Sequence, residues 1–136
     1  MTEIMLYLRF LRFVLERAFS KETANPTHYN SRVPSSGHAD AVSCVLASQL
    51  DATVRVTLVD GKEHFFNRFF YQGSFYDVDL TGDQFGFEKV RCDKEGFILQ
   101  NSREVASSDI STDTKRRARI LARKAGFRSS VIRGIK

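Results

Sequence analysis

The chain has 136 residues, room for one domain and too few for a second. Its hydrophobic fraction of 42% and charged fraction of 27% are those of an ordinary globular protein and exclude wholesale disorder. The net charge is +5, and Cys44 and Cys92 are the only cysteines, which excludes a disulfide framework and fits free thiols in a reducing cytoplasm. The three histidines, His28, His38 and His64, stand far apart and no Cys-x-x-Cys occurs, so no metal site is expected.

In chain order, Ile4 to Phe19 reads as an amphipathic helix. Ile4, Leu8, Leu11, Leu15 and Ala18 recur at helical spacing, with Arg9, Arg12 and Glu16 on another face. These charges interrupt the apolar run before it reaches bilayer length, and the segment lacks a signal-peptide pattern, so no membrane association is expected. Lys21 to Gly37, with Pro26, Pro34 and Ser35-Ser36-Gly37, reads as a loop. A second helix is expected from a Ser35 or Ser36 cap to about Leu50. Three strands follow: Thr53 to Val59, with Val54, Val56 and Leu58 on one face, then His64 to Tyr71, then Ser74 to Leu80. The pairs Asp60-Gly61 and Gln72-Gly73 supply the turns.

The last helix is expected from a cap at Ser111 to Asp113 through Ala125, ended by Gly126. From Asp113 onward nine lysines and arginines face one acid, a net of +8, while the rest of the chain balances 12 against 15. Ala118, Leu121, Ala122 and Ala125 form the helix's apolar side, and Arg116, Arg119 and Arg123 line another. Such a stripe is a candidate nucleic-acid surface. No aromatic residues interleave with the charges, so a solvated outer face is the expected reading. The order of elements makes the fold class α+β, a single domain over residues 1–136.

Two segments carry chemistry. Pro34 to Val42 delivers a glycine turn into a helix start, where free backbone N–H groups and the positive dipole end lower a thiol pKa and bind an oxyanion. His64 and Asp79 lie on consecutive strands. A two-residue turn at Gln72-Gly73 pairs residues whose numbers sum to 145, so His64 faces Thr81 and Asp79 is its diagonal neighbour on the same side. A carboxylate there holds the imidazole in one tautomer. A three-residue turn would part the two. Cys44 lies one and a half turns into the helix and reads as core.

Glu22-Thr23-Ala24, Pro34 to Ala39, His64-x-x-Asn67-Arg68, Asp79-Leu80-Thr81, Gln84-Phe85 and Asp113 to Arg117 together resemble the YunG family of small bacterial and phage proteins. The likeness covers most of the chain. More broadly, histidine on one strand and Asp-x-Thr on the next is similar to papain-like and transglutaminase-like thiol enzymes. The resemblance implies a Cys-His-Asp hydrolase or acyl transferase without cofactor, acting on a peptide, protein or small amide or thioester. Residue 39 would be the nucleophile, His64 the base and Asp79 its orienter, with His38 lining the site and Asn67 lending polar support. The family pattern at the helix start reads Gly-Gln-Cys or Gly-His-Cys, and this chain has Ala39 there. An engineered cysteine-to-alanine change and a natural pseudoenzyme or binding module compete as explanations. Retention of the other motif elements favours the engineered change.

Overall fold

The computed structural model describes residues 2–96 and 101–127. Among them the order is α1 (Thr2–Ala18), α2 (Ala39–Gln49), β1 (Thr53–Val59), β2 (Lys62–Tyr71), β3 (Ser74–Asp79), β4 (Arg91–Lys94), β5 (Arg103–Val105) and α3 (Thr112–Ala125), with short 3-10 turns at Gly82–Phe85 and Ser107–Asp109. The architecture is α+β: three helices and one antiparallel sheet ordered β4-β3-β2-β1-β5. No described helix is long and apolar enough to cross a membrane.

Both hairpin turns are two residues long. Asp60 and Gly61 have φ of 52° and 76°, Gln72 and Gly73 of 47° and 85°. Positive φ at both central positions is the turn geometry whose twist matches the flanking strands. The second turn sets Tyr71 opposite Ser74 and Asn67 opposite Val78. This is the register on which the His64–Asp79 argument depends.

The core lies where α2 meets the sheet and the other two helices. Leu8, Leu11 and Leu15 of α1, Val45 and Leu46 of α2, Val54 of β1, and Leu121 and Ala122 of α3 are all essentially inaccessible to water. Burial of a large aliphatic side chain contributes about 2 kcal/mol. Cys44 is part of this core.

Several sequence expectations are corrected. The α2 N-cap is His38, with no side-chain capping bond, and Ser36 instead ties its own loop through Val33 O and Asn30 N. Gly37, at φ +73°, holds the left-handed conformation just before the helix and delays its start. Leu58 is 70% exposed beyond the cover of the core, unlike Val54 and Val56. Arg12, read as part of the polar face of α1, is buried. Its guanidinium forks onto Asp83 at 2.9 and 3.0 Å, reaches Leu80 O at 2.7 Å and bonds Glu16 at 2.7 Å. The strands β4 and β5 escaped the sequence reading because four and three residues are too few to show alternation.

Candidate active site

Helix α2 is aimed by the loop that precedes it. The Asn25 N–H donates to Gly37 O at 2.8 Å, and a Cβ on Gly37 would come within 2.8 Å of Asn25 O, so only glycine lets the two strands of the loop meet. His38 does not line the cavity, as expected from the sequence, but is fully buried beneath this loop. Its ring stacks on Phe19 at 4.1 Å, and Nδ1–H donates to Ser36 O at 3.1 Å. In the neutral ring Nε2 then accepts from the Thr23 hydroxyl at 2.7 Å. Burial pushes this imidazole down to about 4, so it serves as a neutral structural pin.

Ala39 is the first residue of α2, half-buried, at the end where the backbone N–H groups lack partners within the helix. Its neighbour Asp40 is bolted to α3. Arg117 forks onto Asp40 at 2.6 and 3.1 Å, and the Thr114 hydroxyl adds a third bond at 2.8 Å.

His64 and Asp79 lie on one side of the sheet and both are buried. The imidazole Nε2 donates to Asp79 Oδ2 at 2.9 Å. Asp79 Oδ1 accepts from the Thr81 N–H at 3.0 Å, and Oδ2 also meets Arg91 at 3.2 Å. Burial alone would raise this carboxyl, but the His64 bond, the Thr81 N–H and the Arg91 charge hold it below the usual carboxylate range. Gly82 completes the pocket: a Cβ there would lie 2.7 Å from Asp79 Oδ2. On the other edge of the imidazole, Nδ1 is buried without a hydrogen-bond partner among the described residues. The Phe85 ring meets His64 edge-on at 5.1 Å.

Asn67 lies three residues on along β2, so its side chain points to the opposite face. There it donates to Ser43 O at 2.8 Å and Thr53 O at 3.2 Å, bracing α2 against the sheet rather than entering the cavity. Ala39 and His64 do share a cavity, of about 840 Å³. One wall is the Asn25–Asn30 loop and another the Asp60–Glu63 hairpin tip, with Gln84 and Phe85 contributing as well.

Residues 8–124 match the family model described as YunG protein. The chain belongs to the YunG family. No curated protein and no solved structure matches it. The YunG match runs from Leu8 on the buried face of α1 to Lys124 in the last turn of α3, and so includes both the α2 start and the His64–Asp79 pair. Within this YunG domain, sequence reasoning gave no role to Gln84, Phe85 or Arg91. Gln84-Phe85 was visible as a motif, whereas nothing local marked Arg91. Among the described residues, no cluster of three or more His, Cys, Asp or Glu side chains is arranged to hold a metal ion.

Proposed function

We propose that this fold is a papain-like or transglutaminase-like thiol hydrolase or acyl transferase scaffold in which Ala39 occupies the nucleophile position. The observation that carries this reading is a buried imidazole bonded through Nε2 to a carboxylate, with Nδ1 left without a partner among the described residues, in the same cavity as the first residue of a helix. With Asp79 fixing the hydrogen on Nε2, the neutral ring keeps its lone pair on Nδ1. A cysteine at position 39 would give its proton to that atom and attack a carbonyl carbon. The tetrahedral oxyanion would lie near the α2 amides, and the imidazolium would return the proton to the leaving group. Water or an acceptor amine would then release the acyl group. Peptide, isopeptide, thioester and small-amide substrates all suit this chemistry, which needs no cofactor. Two free thiols are consistent with work in a reducing cytoplasm. The intact His64–Asp79 geometry favours an engineered cysteine-to-alanine change over natural loss.

A second reading rests on Ala39 itself, which has no group able to attack a substrate. A natural chain with this residue would hold a peptide or modified partner in the same cleft without turning it over.

Restoring the thiol tests the proposal. Burial pushes Cys44 up to about 12 and Cys92 up to about 11, so both are inert near neutral pH. In Ala39→Cys, iodoacetamide is expected to alkylate residue 39 roughly tenfold or more faster than either, because only that thiol sits at a helix N-terminus in the cavity that His64 also lines. Adding His64→Ala should slow it. Equal labelling of all three thiols would remove the nucleophile from position 39.

A further inference from the structure

The contacts of Asp79 extend past the histidine. Its Oδ2 atom accepts two donors at once, His64 Nε2 at 2.9 Å and Arg91 Nη2 at 3.2 Å. Arg91 is the cross-strand partner of Asp79 in the β3–β4 pairing, so the backbone register brings the guanidinium to the carboxylate. Its charged carbon lies 3.9 Å from the centre of the Phe87 ring, a stacking contact that limits where the side chain can go. The Arg91 side chain is only 16% exposed. Gly82 leaves the space in which Oδ2 meets both donors.

We propose that Arg91 is a positioning residue for the His64–Asp79 pair, holding the carboxylate in place while its charge opposes a second positive charge on the imidazole that shares the same oxygen. The catalytic meaning of this assignment rests on the thiol-enzyme reading above, whereas the electrostatic effect does not. A carboxylate bonded to an imidazole alone favours the imidazolium, because opposite charges in a buried site attract strongly. A permanent cation on the same oxygen offsets that attraction and repels the second positive charge. The histidine keeps its orientation and gives up its proton more readily, which is what a base requires before the reaction begins.

Other charged groups around the pair have partners of their own: Asp77 with Arg68, Asp83 with Arg12, and Asp40 with Arg117. Glu63 and Lys62 precede His64 on β2, and His28 and Asp60 line the same cavity. All of these are unchanged by a substitution at position 91, so a comparison of variants isolates the arginine.

The sign of the effect separates this role from mere support. If Arg91 only braced the loop, its loss would loosen Asp79 and weaken the imidazolium, moving His64 protonation to lower pH. The proposal requires the opposite. NMR titration of the His64 ring in the chain as it stands, with Ala39, should show Arg91→Gln moving the protonation midpoint up by roughly one pH unit. Arg91→Lys, which keeps the charge, should stay close to the unsubstituted protein. A midpoint that is unchanged or lower in Arg91→Gln overturns the assignment. No thiol takes part in this measurement. A failed alkylation of Ala39→Cys would therefore sink the hydrolase reading while leaving the Arg91 result standing on its own.

Discussion

At the scale of single residues, the two buried histidines show how environment divides one side chain between two tasks. His64 has a carboxylate on one nitrogen and, among the described residues, no partner on the other. His38 has a carbonyl on one nitrogen and a hydroxyl on the other. The consequence for His38 is a pH-dependent stability. Its folded-state value is about 4 against an ordinary 6.5, so between these limits the unfolded chain binds a proton that the native ring refuses. Stability is therefore full above about pH 6.5 and falls as the pH drops towards 4, by at most about 3 kcal/mol. Urea unfolding at pH 7 and 4.5 should show this loss, and His38→Gln should flatten it while lowering stability at pH 7. A slope identical in both proteins would assign the acid sensitivity elsewhere. The sequence showed His38 as a residue at a helix start, but not that Gly37 and Asn25 would close over it. The chain reversal that buries the ring depends on contacts between the two ends of a 13-residue stretch, Asn25 to Gly37, that carries no periodicity.

At the scale of elements, the helices were legible on their apolar sides and misread on their charged ones. The α1 stripe from Ile4 to Ala18 and the α3 face of Ala118, Leu121 and Ala122 are buried as their spacing indicates. Arg12 and Arg117 are buried too, and no local pattern announces it. Each pairs with an acid one helical turn away, Glu16 and Asp113, but the acid that holds it inward lies 71 and 77 residues away. A buried cation is stable only when paired, and a pattern of helical spacing contains no information about so distant a partner. The two arginines should therefore behave unlike their exposed neighbours. Arg117→Ala leaves Asp40 inside the α2–α3 contact without its cation, and should cost about 3 kcal/mol, read as a fall in melting temperature. Arg116→Ala, which breaks a surface pair with Asp113, should cost under about 0.5 kcal/mol. Equal losses would mean that Arg117 is no more than a surface charge.

At the scale of the molecule, the helix–loop–helix–meander order was readable because each long element carries its own period, while β4, β5 and the 3-10 turn bearing Gln84 and Phe85 do not. The basic end of the chain is also clearer in the fold. Of its nine cations, Arg128, Arg133 and Lys136 lie outside the described residues, Arg117 is turned inward, Arg116 bonds Asp113 and Lys124 reaches Glu22. Any affinity for nucleic acid should accordingly be weak, unselective and lost between about 50 and 200 mM salt as counterions are released. Anisotropy titrations of the chain and of a variant with Arg116, Arg119 and Arg123 changed to glutamine check this, and tight sequence-selective binding lost in the variant would contradict it. The Gln72-Gly73 turn has a further consequence. It lies in open space, with nothing within 4 Å of an added Gly73 Cβ, and it stands eight residues from His64 and six from Asp79, the pair it aligns. Adding one residue there would turn every later side chain of β3 to the other face and carry Asp79 away from His64. Because the hairpin is local, it can close within microseconds, before α2 is docked by its distant contacts with α3. A single-codon insertion or deletion at this surface turn would thus cost the chain its histidine–carboxylate pair as surely as a change at either residue, and the length of the turn is under a constraint that no side chain in it reveals.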